Sequence, residues 1–233
     1  AERTCDNWMI DMEAVPTSRS ENKRSRPPRN AAATRQRILA AAVGEFAANG
    51  FSGARIENIA RAGKSNIRMI YHHFGSKDQL YIEVLEHVLD QLREDELGLD
   101  FEHVSPREGV HRIFDFIHGH FASHPELMSL LSSENLNKAA FLQRSTRIPE
   151  RASPVIAALA TLLRRGAELG VFRSDVDPLH LYVTIVSLAY FHRSNAYTLS
   201  QIFRHDLLDP AWQLQHREQA REMVFAFLAP VNA

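Results

Sequence analysis

Five helix-start signals of one kind recur through the last two thirds of the chain. Each places a proline in the first turn of a helix, where its missing N–H costs nothing, and four of them have a capping Ser or Asp before the proline. They are Ser105-Pro106, Pro125, Ser153-Pro154, Asp177-Pro178 and Asp209-Pro210. Alternating runs of five or more residues bounded by turns, typical of half-buried strands, do not occur in the sequence. The sequence therefore predicts an all-α fold.

The first third of the chain carries the spacing of three short helices. An apolar stripe of helical period between residues 38 and 46 predicts the first helix, which Asn49-Gly50 ends. A second helix is predicted over about residues 55–62. After the turn Gly63-Lys64-Ser65, a third helix is predicted over residues 66–72, with Asn66 as its cap.

A capping box, Ser76-Lys77-Asp78-Gln79, then opens a long helix that leaves this module. We accordingly predict three parts. Residues 1–30 mix Pro, Ser, Asn and charge without periodicity and are predicted to be a flexible, partly basic tail. Residues 31–80 are predicted to form a helix-turn-helix domain, and residues 81–233 a larger helical-bundle domain.

Charge is distributed unevenly between these parts. Residues 19–80 contain twelve Lys and Arg against four Asp and Glu, a net charge of +8, although the formal net charge of the whole chain is −1. A basic module on an acidic remainder is the electrostatic signature of a polyanion-binding protein. Together with the helix spacing, it predicts a helix-turn-helix whose third helix enters the DNA major groove. Arg24, Arg26 and Arg29 of the tail are candidates for minor-groove contacts.

Four short segments of the first third form a specific pattern. They are TRQRILAAA at residues 34–42, FAANGF at 46–51, Ile59-Ala60, and YHHFGSKDQL at 71–80. The pattern, which covers residues 34–85, resembles the TetR family of bacterial transcriptional regulators. One departure lies at the turn, where many members have Ala-Gly-Val-Ser and this chain has Ala-Gly-Lys-Ser-Asn. The resemblance implies a homodimeric regulator, typically a repressor, that binds a palindromic operator and is released by a small-molecule effector.

The exposed side of the third helix supplies the candidate DNA contacts. Arg68 can donate two bonds to guanine O6 and N7, so it is the predicted base reader. Tyr71, His73 and Lys77 suit phosphate oxygens, and Lys77 lies at a helix N-terminus whose N–H groups also favour anions. The full set of candidates is Arg55, Asn66, Ile67, Arg68, Tyr71, His72, His73 and Lys77.

The C-terminal domain is predicted to hold the effector. Ligand sites in helical bundles lie between facing helices and combine apolar walls with a few polar groups. The candidate wall residues are Phe114, His118, Phe121, Met128, Tyr182, Val186, Tyr190 and Asn195. Their aromatic content favours a flat or apolar ligand, and His118 or a nearby Arg suits a carboxylate. We therefore expect a small aromatic or organic acid.

The dimer interface is assigned to the last two long helices. The helix from Pro178 is apolar on almost every side, and the final helix repeats apolar residues on one face between Ala220 and Leu228. The family resemblance implies that two such helices from each subunit form a four-helix bundle. A purely intramolecular core is the alternative.

One predicted helix carries residue types that could bind a transition metal. The residues concerned are His111, Asp115 and His118, and the pair His120 and His124 four residues apart. The apolar stripe of that helix faces inward and Asp115 points away from it, so we expect neither metal nor cofactor.

Two other functions stay open, namely an architectural helix-turn-helix protein without an effector and a helical enzyme with an appended basic module. No perturbed titratable pair can be named for an enzyme, so we expect none. The single cysteine, Cys5, cannot form an internal disulfide, and the longest nearly apolar run falls short of the ~20 residues that span a bilayer. We therefore expect a cytoplasmic protein with no membrane partner.

Overall fold

The computed structural model describes residues 29–101, 103–150 and 153–230, and every regular element in these ranges is a helix. The all-α prediction is therefore confirmed. The α-helices are α1 Arg29–Gly53, α2 Ile56–Ala62, α3 Ile67–Phe74, α4 Lys77–Leu97, α5 Pro106–Ser123, α6 Pro125–Leu136, α7 Arg147–Glu150, α8 Pro154–Glu168, α9 Pro178–Ser194, α10 Ala196–Phe203 and α11 Pro210–Leu228. A short 3₁₀ helix, Leu142–Arg144, precedes α7. None of the described helices is long and apolar enough to cross a membrane.

All five proline signals mark helix starts, at α5, α6, α8, α9 and α11. The side chains of Ser105, Asp177 and Asp209 accept from the backbone N–H three residues on, at 3.2, 2.8 and 2.9 Å. Ser153 makes no such cap. Its hydroxyl instead donates to Glu96 of α4 at 3.2 Å.

The first helix begins earlier than predicted. Residues 1–28, with Arg24 and Arg26, lie outside the described residues, but Arg29 belongs to α1 and not to the predicted tail. The reason is local: residues 31–33 are three alanines, the best helix formers, and Pro27-Pro28 precede the start. The tail prediction is thus wrong at its last two residues.

The three-helix module α1–α3 packs around an apolar centre. Ile38 and Phe46 of α1, Ile59 of α2, and Ile70 and Phe74 of α3 are all buried. These residues anchor α3 by one side only.

Two glycines set the geometry of this module. A Cβ on Gly63 would lie 3.1 Å from the Ile59 carbonyl and 3.3 Å from the Cα of Ile38, so glycine lets the end of α2 approach α1 closely. Gly75 has φ +77°, in the left-handed region that favours glycine, and it ends α3 after Phe74, later than the predicted 72.

The larger domain is built around α5, α8 and α9, which pack on one another. The predicted inward stripe of α5, from Val110 to Phe121, is buried. The domain also meets the three-helix module α1–α3, because α6 packs against α1. Phe141, just after α6, places its ring 4.3 Å from Phe51 and 5.0 Å from Tyr81. The sequence did not predict α10, which follows α9 directly after Asn195.

Candidate DNA-binding face and effector cavity

The local sequence of α3 sets its orientation. The side chain of Asn66 accepts from the Met69 N–H at 2.9 Å, which is the predicted cap. Because Ile70 and Phe74 are buried against α1 and α2, the opposite side of the helix faces solvent. That side carries Ile67, Arg68, Tyr71 and His72, all of them exposed.

This exposed side has the composition of a groove-reading surface. Ile67 is 39% exposed and Tyr71 is 46% exposed. Arg68 lies between them in sequence and is also exposed. Apolar contacts with thymine methyls and bidentate Arg–guanine bonds are the interactions that such a surface can offer.

The start of α2 is held by an acid that the sequence analysis did not single out. Glu45 of α1 accepts from the backbone N–H of Arg55 at 2.9 Å and from the side-chain amide of Asn58 at 3.1 Å. A carboxylate at a helix N-terminus is electrostatically favourable. Arg55 is left with its side chain exposed at the first residue before α2.

Two of the residues predicted to contact phosphates, Lys77 and His73, are already engaged with other parts of the protein. The Lys77 ammonium donates to the Ala54 carbonyl at 2.7 Å and lies 4.9 Å from the centre of the Phe51 ring. His73 is half-buried, and burial, followed by the charges of His72 and Arg35, lowers its pKa. The structure therefore gives Lys77 a protein partner and favours the neutral form of His73.

A cavity of about 470 Å³ opens between α5, α6, α9 and α10. Two of the predicted effector residues, Phe121 and Met128, line it. Tyr190 lies directly behind this wall, with its hydroxyl 2.7 Å from that of Ser132. The complete lining is Phe121, Ala122, Pro125, Met128, Ser129, Ser132, Arg193, Ser194, Tyr197 and Leu208.

Two other predicted wall residues lie in the domain core. Phe114 is fully buried, and its ring centre lies 4.3 Å from that of His118. Burial, followed by the charges of His192 and other basic groups, lowers the pKa of His118 to about 3. An imidazole that stays neutral in this position does not offer a carboxylate a charge.

The remaining three predicted wall residues, Tyr182, Val186 and Asn195, are also outside the cavity lining. Tyr182 is half-buried near Glu96 and Arg93 of α4, and its pKa is raised by burial and by Glu96. Val186 packs half-buried against the core. The Asn195 amide donates to the Phe191 carbonyl at 3.0 Å and so closes the end of α9.

Arg193 is the charged residue of the cavity lining, and it was not among the predicted wall residues. Its Nε is buried and has no hydrogen-bond partner among the described residues. Burial, followed by the charge of Arg217, lowers its pKa. The sequence does give one indication of Arg193: it lies three residues after Tyr190, at the end of an otherwise apolar helix. It therefore fits the more general expectation that a nearby arginine would pair with a ligand carboxylate.

Comparison with known proteins agrees with this architecture. Residues 38–84 match the family described as bacterial regulatory proteins, tetR family, and residues 106–224 match the tetracyclin repressor-like C-terminal domain. The chain belongs to the TetR family. As a TetR-family protein it is a DNA-binding transcriptional repressor, in agreement with its most similar relatives.

Two relatives and one solved structure illustrate the likeness. The HTH-type transcriptional repressor NicS of Pseudomonas putida is 38% identical over 76% of this chain and 83% of its own length. The HTH-type transcriptional repressor SCO4008 of Streptomyces coelicolor is 32% identical over 69% of this chain and 79% of its own. The transcriptional regulator SCO4942 of the same species superposes with a TM-score of 0.62 at 25% identity, over 84% of this TetR-family chain and 98% of that one.

Proposed function

We propose that this TetR-family repressor acts as a homodimer, binds a palindromic operator through α3, and leaves it when a small organic acid enters the cavity between α5, α6, α9 and α10. The proposal has three parts, which rest on different residues. They concern the DNA face, the dimer surface and the effector.

For the operator, Arg68 is the base reader, with Ile67 and Tyr71 beside it on the exposed side of α3. A recognition helix held by a buried inner face presents such residues to base edges in the major groove. Asn66, His72 and Arg55 lie at or near the same side and are assigned to the phosphates and sugar at its margin. Lys77 is assigned a structural part, since its ammonium donates to the Ala54 carbonyl. His73 is assigned a smaller part in DNA contact, since burial lowers its pKa.

For the dimer, the support is an apolar surface on α9 and α11 that this chain alone leaves in water. Leu179, Val183 and Phe191 of α9 are each more than half exposed. On α11 the predicted face divides, because Ala220, Val224 and Leu228 pack inward while Met223 and Phe227 are at least half exposed. A second copy of the chain would cover both helices by a two-fold contact.

For the effector, the observation that carries the proposal is Arg193 in the cavity wall. A guanidinium with an unpartnered buried Nε can donate to a carboxylate, and such a charge-assisted bond is stronger than a neutral one. The neighbouring side chains, Phe121, Met128 and Tyr197, provide apolar and aromatic surface for the remainder of the ligand. A small aromatic or organic acid matches this combination.

The route from cavity to DNA runs through α6. This helix lines the cavity with Met128 and Ser132, and it also packs against α1 of the DNA-binding module. The segment after it then holds α4, because Arg144 donates to Asp78 at 2.8 Å and Arg147 donates to Glu86 at 2.9 Å. A ligand that moves α6 therefore moves the recognition helices. To lower operator affinity a hundredfold it must favour the DNA-incompetent state by about 2.7 kcal/mol.

The test is a fluorescence-anisotropy titration of the dimer on its operator, with and without a panel of aromatic and aliphatic monocarboxylates, benzoate first. We expect an active acid to weaken operator binding by the wild type and by Arg164→Met, a matched change at an exposed arginine paired with Glu168. Arg193→Met should bind DNA normally and lose the response. An affinity that no acid alters would indicate an architectural protein, and consumption of the acid would indicate an enzyme. An unchanged response in Arg193→Met would place the effector elsewhere.

A further inference from the structure

Two imidazoles and a carboxylate meet where α5 turns into α6. His120 is in the last turn of α5, His124 is the residue between the two helices, and Asp95 comes from the C-terminal half of α4. One ligand atom of each residue lies within 4.8 Å of the others. The spacing of His120 and His124 in the sequence indicates a pair of possible ligands but does not reveal the third member on another helix.

We propose that Asp95, His120 and His124 bind one divalent transition-metal ion, with zinc as the matching probe and water completing the coordination. Imidazole nitrogens and a carboxylate oxygen suit Zn²⁺ and its neighbours in the first row. Bonds of about 2.1 Å in a tetrahedron place ligand atoms ~3.4 Å apart, so distances of up to 4.8 Å must shorten by at most about 1.4 Å. Asp95 is half exposed and His124 is intermediate, so both can move toward His120, which is fixed by burial.

The present contacts of these side chains are also compatible with an ion. Nδ1 of His124 lies 3.0 Å from the carbonyl of His120, to which it can donate, and this leaves Nε2 for an ion. Asp95 lies 3.5 Å from Nδ1 of His120.

The other histidines that the sequence suggested do not form a comparable group. Asp115 accepts from Arg217 at 2.6 Å, and Nε2 of His111 lies 3.0 Å from the guanidinium of Arg221. These arginines make the neighbourhood positive, which opposes a cation. Among the residues that the structure describes, Asp95, His120 and His124 are the one set of three whose potential metal-ligand atoms lie within 4.8 Å of one another.

An ion in this position would tie α4 to the α5–α6 corner. Phe121 and Pro125, which line the effector cavity, are next to the two histidines in sequence. The metal site is nevertheless independent of the proposed effector function, because its three side chains are outside the cavity lining.

The experiment is calorimetric titration of zinc chloride into the full chain without a histidine tag. Asp95→Asn and His124→Gln remove ligands that are not in the core, and far-UV circular dichroism checks that both fold. His180→Gln is the matched control, because His180 is an exposed helix-start histidine 3.7 Å from Asp177. We expect one high-affinity ion per chain in the wild type and the control, with affinity at least about tenfold lower in the two ligand variants.

Cobalt chloride provides a second readout. Co²⁺ bound directly to the imidazoles gives visible absorption bands that should disappear in His124→Gln and persist in His180→Gln. The proposal is overturned if the wild type shows no saturable zinc binding. It is equally overturned if either ligand variant keeps both the stoichiometry and the affinity of the wild type.

Discussion

The hydroxyl of Tyr190 on α9 lies 2.7 Å from the hydroxyl of Ser132 on α6, and this bond joins the two helices along the wall of the cavity between α5, α6, α9 and α10. Ser132 is on the same helix that packs against α1 of the DNA-binding module. The contact therefore links the cavity wall to the helix that the proposed effector response would move.

Replacing Tyr190 by phenylalanine tests this contact. The change keeps the ring, which packs 5.5 Å from Phe121, and removes only the hydroxyl. We expect the free energy of unfolding to fall by about 1 kcal/mol, the usual net value of an intramolecular hydrogen bond. Urea denaturation measures it, with Tyr197→Phe as the control at an exposed tyrosine. Equal stabilities of the two variants would show that the bond contributes nothing.

Lys77 distinguishes a structural role from a DNA contact. Its ammonium bond to the Ala54 carbonyl predicts that Lys77→Ala lowers the free energy of unfolding by about 1.5–3 kcal/mol. The same variant should keep the salt dependence of operator binding, whereas loss of a phosphate contact would lower the slope by about one. Arg68→Ala should behave in the opposite way, losing ~1–3 kcal/mol of operator affinity with normal stability. Urea denaturation and binding titrations at several salt concentrations measure both properties. A Lys77→Ala variant with a lower salt slope and unchanged stability would contradict this assignment.

The first third of the chain could be predicted from sequence because its signals are local. The stripe from Ile38, the Asn66 cap and the cap at Ser76 each act within one or two turns, and the structure contains all three. Of the predicted capping box only the Ser76 half forms, since the Ser76 N–H donates to the Phe74 carbonyl. The residues that line the cavity could not be predicted with the same accuracy. Which residues of α5, α6 and α9 face one another depends on helix packing, so Phe121 and Met128 line the cavity while Phe114 and His118 lie in the core.

Acid should destabilise the domain through His118. Its pKa is about 3 in the folded chain and near 6.5 when unfolded, so between these values the unfolded chain binds a proton that the folded chain does not. The free energy of unfolding therefore falls as pH drops below 6.5, by up to ~1.4 kcal/mol per unit from this group. Urea denaturation between pH 7 and 4.5 should give a flatter profile for His118→Leu than for the wild type. Parallel profiles would refute the assignment, and His180→Gln is the exposed control.

The dimer is tested by placing a charge on the apolar surface of α11. Phe227→Glu should give monomers or insoluble protein and abolish operator binding, because an exposed apolar side chain of α11 would become charged within the proposed contact. Leu97→Glu makes the same change at an exposed leucine at the end of α4 and should remain dimeric. Sedimentation velocity at micromolar concentration measures both. A wild type that sediments as a stable monomer would contradict the proposed dimer interface.

The most direct test of the central claim is selection of binding sites from random double-stranded DNA by the full chain. Two copies of α3 related by a two-fold axis should recover a palindrome whose half-sites are about one helical turn apart, ~34–36 Å. The selected sequences should share a guanine in each half-site that Arg68→Ala no longer requires. Recovery of unrelated sequences, or of a motif without two-fold symmetry, would contradict the account.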